Sequence, residues 1–328
     1  MHAIAISLAV LLVALVFEAA AGYPDALFKR LRHPVVWIGA LIGWLDRQLN
    51  RERASERMRR LGSVAALVLL LCISALPAVA LQWLLIAAMP AALAVLFLGI
   101  VASSLFAQRG LWSHVAAVAE GLEANGLAGG RAALRHIVGR DPDSLDEAGV
   151  TRAAIESLAE NFSDGVVAPA LWCSLFGLPG AAAYKAVNTA DSMIGHKTDR
   201  HRAFGWAAAR FDDLVNLPAS RLSAVWVLIA ALLMRLDTGG ALRAIKRDAR
   251  RHRSPNAGWP EAAMAGALQI RIAGPRSYGG VRREDPWMGD GREAIGSADI
   301  RRALALYRTA CAIQIAAVAL LLALIWPW

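Results

Sequence analysis

The chain has 328 residues, 57% of them hydrophobic, and its 35 Lys and Arg outnumber 26 Asp and Glu for a formal charge of +9. A mean hydropathy of +0.44 excludes an ordinary soluble domain. The basic excess does not require nucleic acid as a partner, because Lys and Arg gather in segments between apolar runs, as membrane orientation produces.

Ala3 to Ala21 is apolar except for Glu18 and long enough to cross a bilayer. A cleaved signal peptide is the rival reading, with AAAG at Ala19 to Gly22 as a processing site. No Lys or Arg precedes this run, only His2, whereas Lys29, Arg30, Arg32, Arg47, Arg51, Arg53, Arg57, Arg59 and Arg60 follow it. That bias favours an uncleaved helix with its N-terminus outside and the following loop in the cytoplasm. Val64 to Ala107 carries no charge, and its length predicts two spans folded as a hairpin around Gln82. Ser144 to Glu147, SLDE, reads as a capping box that starts a helix from Leu145 to Phe162. Val166 to Tyr184 is apolar but punctuated by Pro169, Gly177, Pro179 and Gly180, so it spans or dips in and returns.

Arg221 to Leu236 is a shorter apolar candidate, and Asp237 to Arg302 is a basic loop containing RAIKRDARRHR at Arg243 to Arg253. Ala303 to Trp328 closes the chain with Arg308 near its start and Trp326 and Trp328 as interfacial anchors. The expected fold is all-α, a polytopic integral membrane protein with about four to six membrane-embedded helical segments and cytoplasmic-side helical loops. One domain, 1–328, is expected. Cys72, Cys173 and Cys311 lie in apolar segments without metal-ligand spacing and read as small buried hydrophobes.

The polar segments carry the chemistry. In ESLAENFSDGVVAPALW, Glu156 to Trp172, the residues Glu156, Glu160 and Asp164 recur every four positions. On a helix these like charges share one face and repel. A solvated acidic face is the bland reading. Three in register, followed by Asn161 and the Asp164–Gly165 turn, read instead as oxygen ligands for Mg²⁺ or a Mg²⁺-nucleotide. Only Arg152 stands one turn away to neutralise them. YKAVNTADSMIGHK, Tyr184 to Lys197, offers Lys185, Asn188, Thr189, Asp191, Ser192, His196 and Lys197. Lysine binds phosphate as a point charge, aspartate holds a metal or accepts a proton, and asparagine orients by hydrogen bonds. ARFDDLVNLPASRL, Ala209 to Leu222, spaces Asp212 and Asn216 one turn apart. SPNAGWPEAAMAG, Ser254 to Gly266, supplies Ser254 and Asn256 before a helix with Pro260 expected at its first position. Ala262, Ala265 and Gly266 leave a flat face there for a planar ligand or another helix. No GxxxxGK[ST] loop is present, which excludes a standard P-loop.

These segments, with FGWAAARFDDLVN, YPDALFKRLRHPVVWIG at Tyr23 to Gly39 and GRD at Gly139 to Asp141, resemble the adenosylcobinamide-phosphate synthase family of cobalamin biosynthesis, CobD or CbiB. The resemblance runs in order along nearly the whole chain. PASRL at Pro218 to Leu222 departs from it, the family more often reading PARL. It implies a multi-pass enzyme of the cytoplasmic membrane with its active site facing the cytoplasm. That enzyme is an ATP-dependent amide ligase joining (R)-1-aminopropan-2-ol phosphate to the propionate carboxylate of adenosylcobyric acid. ATP and Mg²⁺ are the implied cofactors. The residues matched to that chemistry are Lys185, Asp191 and Asp212 as catalytic groups, with Glu156, Glu160 and Asp164 on metal, and no general base is assigned among them. Arg140, Asp141, Asn161, Asn188, Ser192, His196, Lys197, Asn216, Ser254 and Asn256 would bind substrate or phosphate.

The rival class is a transporter or a non-catalytic membrane sensor, since carboxylates at membrane edges also mark ion pathways. Its discriminating feature would be charge within the spans. Lipid is the expected surrounding, and a homo-oligomer or association with other membrane enzymes of the pathway stays open. Topology adds a condition: Val166 to Tyr184 and Arg221 to Leu236 must both cross or both fail to cross if the two long loops on either side are cytoplasmic. Both being re-entrant or interfacial is the reading that keeps Asn188 to Asn216 inside.

Overall fold

The computed structural model describes residues 2–23, 30, 32–51, 53–138, 142–278, 281–283 and 285–326. In chain order the helices are α1 (His2–Ala21), α2 (Pro34–Leu49), α3 (Glu56–Ala88), α4 (Ala91–Ser103), α5 (Gln108–Leu134) and α6 (Glu147–Phe162). A π-helical turn, Ser163–Val167, leads into α7 (Ala168–Phe176) and α8 (Leu178–Ile194), followed by α9 (Trp206–Leu233), α10 (Thr238–Asp248), α11 (Gly258–Leu268) and α12 (Ser297–Ile325). Between α11 and α12 lie the short strands β1 (Ile272–Ala273), β2 (Arg276–Tyr278), β3 (Val281–Arg283) and β4 (Trp287–Met288). β1 pairs antiparallel with β4, and β2 with β3. The fold is all-α apart from these two ribbons.

Among the described residues, five helical stretches are long and apolar enough to cross a membrane: Ala3–Ala21, Glu56–Ala88, Ala91–Leu134, Trp206–Leu233 and Ser297–Ile325. This is the build of a multi-pass membrane protein. By its internal contacts the chain, read from sequence as one domain, divides into two compact units. One comprises Met1–Ala107, Ala168–Asn216 and Ala317–Trp328; the other comprises Gln108–Val167 and Leu217–Ala316.

In the first unit α1 packs on α4 closely enough that a Cβ on Gly99 would fall 2.4 Å from Val13 Cγ1. A second apolar cluster joins Ile42 and Leu45 of α2, Ala66 and Leu70 of α3, and Ala186, Ala190 and Ile194 of α8 around Phe204. The rest of α3 turns outward, with Leu76 62% and Trp83 71% exposed, as a lipid-facing helix does. Its hairpin partner does not begin at Gln82. Helix α3 continues to Ala88 and breaks at Met89, whose extended backbone (φ −144, ψ 163) is what a residue before proline prefers. Gln82 stays helical, and its Oε1 accepts from the Leu178 amide at 3.0 Å. Gly177 needs its lack of a side chain: its φ is +68, and a Cβ would meet Gln82 Oε1 at 2.3 Å. That joint divides the apolar run after Val166 into two helices, neither among the five long stretches. The segment from Arg221, expected to be re-entrant or interfacial, is instead the second half of the 28-residue α9, which is long enough to cross.

In the second unit α6 is capped by Asp146, whose Oδ1 accepts from the Gly149 amide at 2.7 Å, so the helix starts at Glu147 rather than Leu145. Ile155, Leu158 and Phe162 of α6 are fully buried, with Phe162 edge-on to Tyr307 at 5.4 Å. The flat face at Gly266 is taken by a helix: a Cβ there would sit 2.5 Å from Gly240 O and 2.6 Å from Ala241 Cα of α10. Pro260 falls at the third residue of α11, not the first.

Candidate functional site

In the first unit, α8 and the front of α9 bury a run of polar side chains. Tyr184 Oη donates to Asn216 Oδ1 at 2.8 Å. With its oxygen so occupied, Asn216 turns its Nδ2 to donate to Asp212 Oδ2 at 3.0 Å. Asn188 approaches the same carboxylate, yet Asp212 Oδ1 is sealed from solvent and has no hydrogen-bond partner among the described residues. A buried carboxylate oxygen without a donor is costly and calls for an explanation. An apolar cavity of about 350 Å³ is lined in part by Tyr184, Trp172, Phe176, Val187 and Val215.

Asp191 lies near Asp212 and Asp213. Burial pushes its carboxyl above the ordinary range, Asp213 pushes it further, and His196 partly offsets both. Asp191 also folds back over the end of α8, so that a Cβ on Gly195 would lie 2.0 Å from Asp191 Oδ1. Lys197 and Arg210 lie near Asp213. His196, Lys197 and Ser192 are exposed at the end of α8, and the Ser192 hydroxyl donates back to Asn188 O at 2.9 Å. Lys185 is half-buried, and its charge acts on His33.

In the second unit the acidic series separates. Glu156 is buried and its Oε1 accepts from the Ala273 amide at 2.8 Å, Glu160 is exposed, and Asp164 is half-buried. The π-helical turn beginning at Ser163 carries Asp164 out of the α-helical register that the four-residue spacing assumes. Among the described residues no three His, Cys, Asp or Glu side chains come together as a group that could hold a metal ion. Glu156, Glu160 and Asp164 are therefore not a preassembled three-carboxylate centre. Arg152 does not serve them either; it reaches Glu293 O at 3.4 Å and Asp146 at 3.7 Å, and lies over Trp287. Asn161 is exposed and donates to Ser157 O at 2.9 Å.

The same unit gathers Ser220, Arg221, Ser254 and Asn256. Asn256 Oδ1 accepts from Ser220 Oγ at 3.2 Å and Arg221 Nη1 at 3.1 Å. Ser254 Oγ accepts from the amides of Asn256 at 3.1 Å and Ala257 at 3.2 Å, which shapes the turn into α11. Arg140 and Asp141 lie outside the described residues. Sequence reasoning missed Tyr184 and Arg221. The signal for each was its place, Tyr184 opening the YKAVNTADS segment and Arg221 five residues after Asn216 on one helix.

Comparison with known proteins gives these motifs a family. A family model described as CobD/Cbib protein matches residues 11–307. Proteins named "Cobalamin biosynthesis protein CobD" are similar along nearly their whole length. That of Sinorhizobium fredii is 51% identical over 316 residues, covering 95% of this chain and 96% of its own. That of Rhodobacter capsulatus is 50% identical over 304 residues, covering 93% and 94%. That of Brucella suis is 45% identical over 308 residues, covering 92% and 93%. No solved structure matches. With the family model and these relatives spanning nearly the whole chain, the protein belongs to the CobD/CbiB family of cobalamin biosynthesis.

Proposed function

We propose that the protein is an ATP-dependent amide ligase of the cytoplasmic membrane, joining (R)-1-aminopropan-2-ol phosphate to the propionate carboxylate of adenosylcobyric acid. One observation supports this most: the buried Tyr184–Asn216–Asp212 chain, whose Asp212 Oδ1 is sealed from solvent and lacks a hydrogen-bond partner among the described residues. A carboxylate substrate is a poor electrophile. In this reading its oxygen attacks the terminal phosphorus of ATP, ADP leaves, and an acyl phosphate forms. The amine nitrogen then forms the amide bond as phosphate departs. Before that attack the ammonium must give up a proton, and Asp212, with Asp191 beside it, is the acceptor.

Lys185, His196 and Lys197 are assigned to phosphate oxygens, where cations balance charge. In the first unit Asn188, Asn216 and Ser192 are assigned to orient substrate by hydrogen bonds; in the second, Asn161, Ser254 and Asn256 are assigned to substrate or phosphate binding. ATP with Mg²⁺ enters as a co-substrate. Mg²⁺ is commonly held by one or two carboxylates together with substrate phosphates. A partly open pair such as Glu160 and Asp164 fits that habit better than a closed cage, and the ion would neutralise phosphate charge there.

The test is purified protein in detergent with ATP, Mg²⁺, adenosylcobyric acid and the aminopropanol phosphate. Amide product with stoichiometric ADP is expected; neither product would move the assignment to a regulatory or transport role. One observation favours that rival: Asp212, Asp213 and Arg221 lie on α9, a helix long enough to cross. Charges inside a span mark ion pathways as well as catalytic sites. Ion flux in proteoliposomes without turnover would decide for it.

A further inference from the structure

The geometry points to an oxyanion site at Arg221 and Arg250, built to receive the phosphate group of a small phosphorylated ligand. Arg221 is fixed in place. Its guanidinium lies 4.5 Å from the Trp259 ring centroid, and Nη1 donates to Leu217 O at 3.1 Å, Ser220 Oγ at 2.9 Å and Asn256 Oδ1 at 3.1 Å. Every hydrogen bond it makes among the described residues runs through that one nitrogen, which leaves Nη2 and Nε without an acceptor among those residues. An arginine held by stacking and one corner presents the rest of its planar fork to an oxyanion at little further entropic cost.

The neighbourhood strengthens the reading. Arg250, exposed after α10, adds a second positive charge whose field acts on Arg221. The adjacent arginines are neutralised: Arg247 pairs with Asp248 at 2.7 Å and Asp290 at 2.9 Å, and Arg251 reaches Asp248 at 3.7 Å. Neither Arg221 nor Arg250 pairs with a carboxylate among the described residues. The nearby Glu261 faces His252 at 3.7 Å instead. Two like charges kept together without a counterion, one of them rigid and half-buried, are stabilised when an anion arrives. Membrane phospholipid headgroups and free phosphate monoesters share that chemistry. The site rests on the proposed function only for the choice of a free phosphorylated substrate between them.

The experiment is titration of inorganic phosphate into the full-length protein in detergent, followed by calorimetry, and repeated in nanodiscs with and without phosphatidylglycerol. Arg221→Lys is expected to weaken binding by about tenfold, because an ammonium cannot reproduce the fork. Arg250→Ala, which removes an exposed side chain that makes no hydrogen bond or ion pair among the described residues, should weaken it several-fold. Arg251→Ala, whose charge is already paired, should leave it unchanged. Equal losses in all three variants, or none, would overturn the site in favour of a diffuse basic loop. Competition by phosphatidylglycerol would assign it to a headgroup. Lack of competition, with a raised KM for the aminopropanol phosphate or ATP in Arg250→Ala, would assign it to substrate. Wild-type protein that binds phosphate through Arg221 but forms no amide would sink the ligase reading and leave the site standing; amide formation with unaltered phosphate binding in the variants would do the reverse.

Discussion

Glu156 and Asp212, one from each compact unit, are equally buried, each 7% exposed, yet their surroundings differ. Glu156 accepts a hydrogen bond from the backbone amide of Ala273, a residue at φ +62 in the connection after α11. Asp212 accepts from the side chain of Asn216 through one oxygen, and although Asn188 approaches the carboxylate, the other oxygen has no hydrogen-bond partner among the described residues. Burial alone does not mark a functional carboxylate. On the proposed function, the carboxylate that satisfies a backbone donor in β1 is expected to be scaffolding, and the one with an open oxygen held by a supporting hydrogen-bond chain to act in the chemistry.

The largest expected effect tests the open member of the pair. Asp212→Asn keeps the side chain's shape and leaves an oxygen for Asn216, so the fold should survive with an unchanged melting temperature. Removal of a positioned proton acceptor should lower kcat by about a hundredfold or more, roughly 2.7 kcal/mol in the barrier. Tyr184→Phe should follow it with a smaller loss, because Asn216 is then free to flip its amide. Full activity in Asp212→Asn would erase the distinction between the two carboxylates.

Glu156→Ala is the matching test of the closed member. It strands the buried Ala273 amide, at an expected cost of about 1–3 kcal/mol in stability. Thermal and denaturant unfolding in detergent should show the loss, while the proposed turnover of the protein that remains folded stays within a few-fold of wild type. If instead stability is untouched and turnover collapses, Glu156 belongs with the reacting groups and the comparison is wrong.

A third variant sharpens the boundary inside the acidic series. Asp164→Asn, at a half-buried position outside the α-helical register, should cut activity by about tenfold, or 1.4 kcal/mol, with the fold retained. Recovery at raised Mg²⁺ concentration would identify a ligand to the nucleotide-bound ion. Normal turnover in Asp164→Asn would leave Glu160 and Asp164 as a solvated face.

These distinctions show where the sequence was legible. Apolar runs gave the membrane helices because length and hydropathy are local properties: Ala3–Ala21 is read correctly end to end. Gln82 reads from sequence as the hairpin turn because a polar residue in an apolar run looks like a loop. Its real role, accepting the Leu178 amide, depends on a contact 96 positions away. The three carboxylates looked equivalent because four-residue spacing assumes an uninterrupted α-helix, and nothing local announces the π-helical turn at Ser163 or the Ala273 amide that claims Glu156. Tyr184 and Arg221 went unnoticed for the same reason. A tyrosine becomes a positioning group, and an arginine an anchored fork, only through what they touch.

The smallest effect extends the comparison to a group that titrates. His33 caps α2, its Nδ1 accepting from the Val35 amide at 3.3 Å, with the ring edge-on to Tyr23 at 4.5 Å. Like Glu156 it satisfies a backbone donor, so its expected role is structural. Only neutral imidazole can accept at Nδ1. Burial, and after it the charge of Lys185, lowers its pKa below the ordinary 6.5. Between the depressed folded value and 6.5 the unfolded chain therefore binds more protons than the folded one, and stability rises with pH across that window. Above 6.5 His33 contributes no slope; as pH falls below it, the melting temperature should decline until the folded pKa is passed. His33→Asn keeps a capping oxygen and removes the titration, so its melting temperature should lose that part of the acid slope. Lys185→Met should narrow the window by letting the folded pKa rise. Identical acid slopes in wild type and His33→Asn would show that the cap does not titrate, and that its resemblance to Glu156 ends at the hydrogen bond.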